Sequence, residues 1–438
     1  MNLKIFLLLF FIIPKGYSNF VEGLGDLSCG QEGQKRCLIS SKEFWLNGSG
    51  GCDRGLKSKK KICTKKKRDL LKNEGHEWIS KSLKFQRELQ ADLPLNQVLN
   101  IKAHNTFNNK ADGYLFENQK YSITDLLELG VRNIELDLHF FNKQLRLCHG
   151  NAKDLVCSPF DRLFFNGIEE LNIWLRKKEN KDEVVILEME LYLDGHDDLL
   201  SPLKYHLDDL IFRQSDSITN GRWPSINEIR KKGKNIIITA GPPPYAFGQF
   251  QRIQEPPNTF DGKLCTIGAN YQIDPNFDQG RSPIKVEINE DAIVYARIYN
   301  GPKLKGVLTP EIIKQVVECN ITGISADQID IEKAKSVVWS WAENEPLDWD
   351  KGNRCVYVDP SGGWRSQNCD QEYPFACQSE TNPGFWMVTS WRGKFSEGEK
   401  ACNREFFGLK FFHPKNGWEN ARLYKNHAKN VWINYKNF

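Results

Sequence analysis

The sequence predicts an α/β protein whose main unit is a TIM-type (β/α) barrel, with a small cysteine-rich N-terminal region and a β-rich, disulfide-bonded C-terminal domain. The chain has 438 residues, which is too long for one small domain. Between residues 85 and 335, short apolar strands alternate with amphipathic helices, as in a barrel of roughly 250 residues. Residues 336–438 contain eight of the 12 tryptophans and four of the 12 cysteines, which indicates a separate domain.

The predicted barrel elements follow one another in a regular order. Strand patterns cover residues 98–104, 131–140, 144–150, 184–193, 235–241, 291–300 and 321–327. Residues 122–130 begin with an N-cap serine and end with glycine, while 167–180 and 310–320 have helical spacing of apolar positions. An open doubly wound sheet is the alternative, but no GxGxxG follows the first strand and the chain has no P-loop motif.

The N-terminus has the features of a signal peptide, which we predict to comprise residues 1–18. Lys4 precedes an apolar run at residues 5–14 that is too short to span a bilayer, and Gly16 and Ser18 supply the small residues that a signal peptidase reads. The 12 cysteines include no CxxC pair, which favours disulfides in an exported protein over a zinc site. We therefore expect a secreted protein.

The charge distribution argues against one class of partner and leaves another open. The net charge is only +4, with 60 basic and 56 acidic residues, so we expect no nucleic-acid partner. The predicted N-terminal region, residues 19–84, contains a basic run from Lys57 to Arg68. Two interpretations of this run are open, namely contact with an anionic lipid surface and a solvated loop tied by a disulfide.

Two pairs of carboxylates lie on predicted strands. Glu135 and Asp137 are two positions apart on one strand, as are Glu188 and Glu190 on another, so each pair points to one face. In a barrel such faces converge at the C-terminal rim, where active sites lie. Acids buried together need a compensating positive charge. Oxygen ligands suit Ca²⁺ or Mg²⁺ better than zinc, and Glu188 has the alternative of pairing with an Arg or Lys.

Two histidines lie at the ends of neighbouring predicted strands. His104, followed by Asn105, closes the first strand, and His149 follows the strand after Asp137. Beside a bound cation, such histidines are suited to act as acid and base. A bridge between Cys148 and Cys157 would close a short loop and help to fix His149.

Four segments together resemble the catalytic half of phosphatidylinositol-specific phospholipase C. They are AHNTFNN (103–109), LLELGVRNIELDLHF (126–140), LRLCHG (145–150) and VVILEMEL (184–191). The overall layout is similar to that of fungal-type secreted phospholipase C-like phosphodiesterases. The resemblance implies a barrel with an X-domain catalytic region and phosphoric diester hydrolase activity.

The resemblance also implies a role for individual residues. His104 would contact the phosphoryl group, and His149 would protonate the leaving oxygen. The calcium-dependent branch has an acid at the position of Asp137, where another branch has a basic residue, so a metal is implied. The residues that would hold Ca²⁺, or alternatively Mg²⁺, are Asn105, Glu135, Asp137 and Glu190.

The function and two further residues have alternative interpretations. The implied substrate is a phospholipid, and the alternatives are a glycerophosphodiester phosphodiesterase, a sphingomyelinase D-like enzyme, or an inactive carbohydrate- or surface-binding protein. Arg297 either contacts a substrate phosphate or neutralises a barrel carboxylate. Asp327 either orients a histidine or caps a loop.

Residues 336–438 resemble a C-type lectin-like domain with its two halves in reversed order. The Trp-Asn-Asp sugar-binding triplet has no counterpart here, so a structural aromatic cluster is the alternative to a carbohydrate partner. The resemblance implies two disulfides, Cys355 with Cys369 and Cys377 with Cys402.

Overall fold

The computed structural model describes most of the chain, including the two predicted catalytic histidines and the four predicted metal ligands. The described residues are 31–36, 52–65, 75–114, 117–141, 143–149, 157–193, 201–216, 223–240, 250–251, 266–267, 271–272, 284–287, 295–298, 310–319, 322–347 and 349–436. The predicted signal peptide, residues 1–18, lies outside the described residues, as does the end of the basic run at 66–68.

The first described element is a β-hairpin in the cysteine-rich region. Strand β1 (Leu56–Lys59) pairs antiparallel with β2 (Ile62–Lys65). A disulfide joins Cys52 to Cys63, and both cysteines are fully buried. The hairpin has only a three-residue apolar cluster, Cys52, Leu56 and Cys63, so its stability depends on the disulfide and on the surface beneath it.

The central region alternates strands and helices, as the sequence predicts. Its strands are β3 (Asn100–Ala103), β4 (Asn133–Phe141), β5 (Gln144–Leu147), β6 (Val185–Tyr192), β7 (Ile236–Ala240), β8 (Phe250–Gln251), β9 (Thr266–Ile267), β10 (Tyr271–Gln272), β11 (Ile284–Glu287), β12 (Tyr295–Ile298) and β13 (Gly323–Ala326). Its helices are α1 (His76–Leu89), α2 (Ile123–Leu129), α3 (Phe164–Leu175), α4 (Ser201–Leu207), α5 (Ile226–Lys231), α6 (Pro310–Glu318) and α7 (Ile331–Ser336).

The strands of this region form one mixed sheet, apart from the separate pair β9 and β10. The order is β11-β12-β13-β3-β4-β6-β7-β8, with β5 paired to β4. The pairs from β12 to β8 are parallel, whereas β11–β12 and β4–β5 are antiparallel. The last strand, β13, lies beside the first, β3, as a barrel requires. The described strands show no pairing between β8 and β11, so a closed barrel is not confirmed.

Helix α2 and its termini place the second strand of the sheet. Ser122 and Asp125 form a capping box in which each side chain accepts the other's backbone N–H, and this satisfies the first turn. Gly130 ends the helix at φ 111°, a conformation that favours glycine. A Cβ at Gly130 would lie 2.7 Å from Leu83 Cδ1, so both the backbone and the packing require glycine. Strand β4 begins three residues after Gly130.

The C-terminal domain has its own sheet and two helices. The strands are β14 (Arg354–Val358), β15 (Trp364–Asn368), β16 (Tyr373–Ser379), β17 (Trp386–Gly393), β18 (Leu409–Phe411) and β19 (Val431–Lys436), in the order β15-β14-β19-β16-β17 with β18 paired to β16. The helices are α8 (Gly398–Glu405) and α9 (Gly417–Asn426). The two implied disulfides, Cys355–Cys369 and Cys377–Cys402, are both confirmed. The lectin-like resemblance and a carbohydrate partner stay predictions.

The C-terminal domain packs directly against the central region. Phe85 on α1 contacts Trp341 and Trp364, with ring centroids 5.1 and 5.8 Å apart. The Gln86 amide oxygen accepts a hydrogen bond from the backbone N–H of Trp339 at 2.9 Å. One hydrophobic cluster runs continuously from the central sheet into this domain, so the two units share a core. None of the helices in the described part of the chain is long and apolar enough to cross a membrane.

Candidate active site

His104 lies at the C-terminal end of β3 and is fixed by a carboxylate from the last strand of the region. Its Nδ1 lies 2.7 Å from Asp327 Oδ1, and Asp327 directly follows β13. Asn118 donates to the same oxygen at 3.0 Å. Because a carboxylate accepts, Nδ1 carries the proton and Nε2 faces the site. Of the two roles considered for Asp327, orienting a histidine is the one that the structure shows.

Asn105 connects the first strand to the acids of the second. It adopts φ 45°, a left-handed conformation that asparagine tolerates better than most residues. Its backbone N–H donates to Glu135 Oε2 at 3.2 Å. When its amide nitrogen is turned toward Asp137, it lies 3.1 and 2.9 Å from the carboxylate oxygens, and the amide oxygen accepts from His149 Nε2 at 3.2 Å. Asn105 therefore joins the acids to the second histidine.

A buried lysine that the sequence analysis missed compensates two of the four acids. Lys102 Nζ lies 2.8 Å from Glu135 Oε1 and 2.6 Å from Glu188 Oε1, and all three side chains are at most 2% exposed. Removing one partner from a buried ion group leaves an uncompensated charge, which is strongly destabilising. The interpretation of Glu188 as the partner of a basic residue is thus confirmed. The signal was present in the sequence, since Lys102 shares a strand face with His104.

Glu190 lies beside Asp137 on the neighbouring strand. The register of β4 and β6 pairs Asp137 with Glu190, and Glu135 with Glu188. Tyr192 donates its hydroxyl to Glu190 Oε2 at 2.9 Å and stacks on His139, with ring centroids 4.4 Å apart. Burial, with Asp137 and Glu135 adding to it, raises the pKa of Tyr192. Tyr192 therefore stays protonated and holds one oxygen of Glu190.

His149 faces His104 across the site. The two ring centroids are 6.5 Å apart and the rings are perpendicular, at 88°. Desolvation and the neighbouring His104 lower the pKa of His149. The preceding Cys148 is joined to Cys157, as the sequence suggested. The structure thus brings together the two histidines from separate strand ends.

The predicted metal ligands lie on two neighbouring strands and at the end of β3, but their carboxylates do not form a tight cluster. In the described residues, Glu135, Asp137 and Glu190 do not place three carboxylate oxygens within 4.8 Å of one another. For Asn105 to bind a cation beside Asp137, its amide would have to turn over from the orientation that contacts His149, so that the amide oxygen faces the carboxylate; amide and carboxylate oxygens are ligands that suit a hard cation. Arg297 lies on β12, in register with Ser325 of β13, but its side chain is outside the described part of the chain, so its role stays a prediction.

Comparison with known proteins identifies a related domain in the region of this site. A family model described as the Rv2075c PI-PLC-like domain matches residues 65–219. The uncharacterized protein Rv2075c of Mycobacterium tuberculosis is 26% identical over 403 residues, which cover 82% of this chain and 80% of that protein. A PI-PLC X domain-containing protein of Arabidopsis thaliana is 25% identical over 155 residues, which cover 33% of this chain and 36% of that protein.

Solved structures include bacterial phospholipases that resemble the chain at low similarity. The phosphatidylinositol-specific phospholipase C of Listeria monocytogenes has a TM-score of 0.41 and 13% identity, covering 59% of this chain and 97% of that chain. The enzyme of Staphylococcus aureus has a TM-score of 0.39 and 14% identity, covering 59% and 98%. The family match supports the resemblance to phosphatidylinositol-specific phospholipase C over residues 65–219, which include both histidines and all four predicted metal ligands.

Proposed function

We propose that this protein is a secreted phosphodiesterase of the phosphatidylinositol-specific phospholipase C type, acting on a phospholipid. The observation that carries the proposal is the pair of facing imidazoles, 6.5 Å apart, one of which is oriented by a carboxylate. A phosphoryl group between two such rings has an acid and a base within reach of its oxygens. The family match over residues 65–219 supports this reaction class.

The residues divide the chemistry between them. Asp327 holds Nδ1 of His104, so Nε2 is directed at the phosphoryl group or the attacking hydroxyl. His149 lies on the opposite side, where it can give a proton to the leaving oxygen. Its pKa is lowered in the free protein, and an anionic phosphodiester bound beside it would raise that pKa again. Substrate binding would therefore favour the protonated form that acid catalysis needs.

A divalent cation, Ca²⁺ or alternatively Mg²⁺, completes the proposed site. Asn105, Glu135, Asp137 and Glu190 would hold it, although Glu135 has only Oε2 to offer because Lys102 binds Oε1. A bound cation would offset the charge that grows on the phosphoryl oxygens. The oxygen-only donor set fits a hard cation, and Lys102 reduces the negative charge that the cation must neutralise.

The proposed setting is outside the cell, at a lipid surface. The signal-peptide pattern of residues 1–18 supports secretion, as do the four described disulfides. Within the basic run from Lys57 to Arg68, residues 57–60 of the hairpin are exposed. Such a surface is suited to contact anionic lipid headgroups, where each basic residue adds about 1 kcal/mol.

Activity measurements on two variants test the proposed roles. The full chain is assayed against phosphatidylinositol, a glycerophosphodiester and sphingomyelin, each with Ca²⁺, Mg²⁺ or EDTA. His149→Ala should lower kcat by at least about 10²-fold, the usual contribution of an acid–base group, with little change in Tm. His427→Gln, in the C-terminal domain, is the matched control.

Each part of the proposal has its own contradicting result. Full activity in His149→Ala would reject the role of that histidine. Activity that survives complete chelation by EDTA would reject the metal. Hydrolysis of the glycerophosphodiester in preference to both lipids would reject a phospholipid substrate, and a preference for sphingomyelin would reject the phosphatidylinositol-specific type, while either result would leave the phosphodiesterase assignment intact.

A further inference from the structure

The N-terminal hairpin docks through buried charges rather than apolar contacts. Asp53 and Arg54 precede β1 and are 1% and 5% exposed. The Arg54 backbone N–H donates to the Phe160 carbonyl at 2.8 Å, and the N–H of Gly55 donates to the Asp112 carbonyl at 3.0 Å. Two consecutive backbone bonds thus fix the start of the hairpin against two loops of the central region.

The Arg54 side chain makes the strongest contact of this junction. Its Nε lies 2.6 Å from Asp161 Oδ1, and its guanidinium donates to the Gly113 carbonyl. The same guanidinium lies over the ring of Tyr114, 4.7 Å from the ring centre. Because a buried arginine must satisfy its donors in a fixed planar fork, it holds these loops in one relative position.

The loop that Arg54 holds is bonded directly to the strand that leads to His149. The Leu147 N–H donates to the Arg162 carbonyl at 2.8 Å. The Tyr114 hydroxyl donates to the Leu147 carbonyl at 2.7 Å and accepts from the Arg162 N–H at 3.0 Å. The Cys148–Cys157 disulfide joins the start of the loop to the residue before His149.

We propose that Arg54 is a positioning residue for His149, acting through Asp161, the 157–163 loop and the end of β5. The proposal rests on the proposed function in assigning His149 as the acid. The family model begins at residue 65, so Arg54 lies in a segment outside it. The cysteine-rich hairpin thus contributes to catalysis, because it determines the position of the His149 imidazole.

Two variants and one control test this role. Arg54→Gln removes the charge and the fork, while Tyr114→Phe removes only the hydroxyl that bridges Leu147 and Arg162. The control is Arg176→Gln, which removes an exposed arginine that pairs with Asp209 at 2.7 Å. Each protein is assayed on phosphatidylinositol, which has a poor alkoxide leaving group, and on a nitrophenyl phosphodiester of inositol, whose leaving group needs no proton.

Comparing the two substrates distinguishes a displaced His149 from a general loss of active-site structure. We expect Arg54→Gln to lose about 10²-fold in kcat on phosphatidylinositol, because a misplacement of about 1 Å has that effect. The loss on the nitrophenyl ester should be at least tenfold smaller, since the general acid contributes little there. Tyr114→Phe should show a smaller loss with the same preference. Equal losses on both substrates would overturn the proposal.

A second measurement does not depend on activity. In ¹³C-histidine NMR spectra of the full chain, with the His149 signal assigned from His149→Gln, Arg54→Gln should shift or broaden that signal while leaving His427 unchanged. If wild type cleaves no phosphodiester, the proposed function fails and the spectra alone decide the positioning role. If Arg54→Gln does not fold, Arg54→Lys, which keeps the charge but removes the planar fork, decides it. A His149 signal unchanged in the folded variant would overturn the proposal.

Discussion

The central sheet carries an attachment at each end of the chain, and the two are built from different interactions. At the N-terminal joint, residues 53–55 contact residues 112–114 and 160–161 through an ion pair and backbone hydrogen bonds. At the C-terminal joint, α1 and α6 contact residues 339–341, 364, 417–425 and 435, largely through aromatic rings. The first joint is directional and charged, whereas the second is mainly apolar.

The N-terminal joint buries two acidic and two basic side chains together. Asp53 and Asp161 face Arg54 and Arg146, and each of the four side chains is at most 6% exposed. Such groups contribute little net stability, because desolvation offsets their attraction, but they hold a defined geometry. The N-terminal joint therefore fixes the geometry of the loops near His149 more than it stabilises the fold.

The C-terminal joint has the opposite character. Trp364 is fully buried, and its ring lies within about 6 Å of the rings of Phe85, Trp341 and Tyr435. Apolar burial is strong but not directional. This joint contains none of the residues that we assign to the site, so we expect it to affect stability and not turnover.

The largest expected effect is at the centre of the aromatic joint. Trp364→Ala should lower the free energy of unfolding by about 3 to 5 kcal/mol, the usual range for a buried tryptophan. It also removes the hydrogen bond from the indole to Asn420, at 3.0 Å. The measurement is chemical denaturation, paired with kcat for the folded enzyme, which should not change.

The control is Phe407→Ala, which replaces a fully exposed aromatic side chain of the same domain. It should leave both the free energy of unfolding and kcat unchanged. A drop in kcat of the folded Trp364→Ala enzyme would show that the aromatic joint also shapes the site, and the contrast between the joints would then be lost.

The main elements could be predicted from the sequence because their signals are local, whereas the aromatic joint could not, because Phe85 and Trp364 lie far apart in the chain. The capped helix at 122–130, the strands around Glu135 and Glu190, and the tryptophan-rich tail all follow from periodicity and composition. The two histidines and the acids were recognisable because strand ends converge at one edge of a parallel sheet.

The charged joint could not be predicted, because its partners are far apart in the chain. Arg54 and Asp161 are 107 positions apart, and neither sits in a motif. Lys102 was missed for a related reason, since a lysine in an apolar strand reveals its role only when Glu135 and Glu188 are placed beside it. Sheet closure was predicted but is not confirmed, because the described strands show no pairing between β8 and β11.

The second effect is a dependence of stability on pH at the charged joint. Burial, opposed by Arg146, raises the pKa of Asp53 to about 7 from 3.8. Asp53 thus binds a proton in the folded state at pH values where the unfolded chain has lost it. This contribution to stability is complete below about pH 4 and disappears as the pH rises through 7, and it amounts to up to about 4 kcal/mol.

Asp53→Asn should therefore flatten the stability profile between pH 4 and 7 and be more stable than wild type at pH 8. The measurement is chemical denaturation at pH 4.5 and pH 8. Trp364→Ala should lower the free energy of unfolding by the same amount at both pH values. Only the charged joint would then make stability depend on pH. A wild-type profile that rises with pH over this range, and is unchanged by Asp53→Asn, would contradict the raised pKa.

The smallest effect concerns the polar edge of the C-terminal joint. Tyr424 donates to Glu318, and Lys425 pairs with the other oxygen of that carboxylate. Tyr424→Phe should cost about 1 kcal/mol, as for one hydrogen bond. Lys425→Gln should cost at most about 0.5 kcal/mol, because Lys425 is half exposed and its charge is screened by water. Denaturation of both variants beside Trp364→Ala ranks the contributions. If Tyr424→Phe destabilised the protein as much as Trp364→Ala does, polar contacts would hold both joints, and aromatic burial could no longer distinguish them.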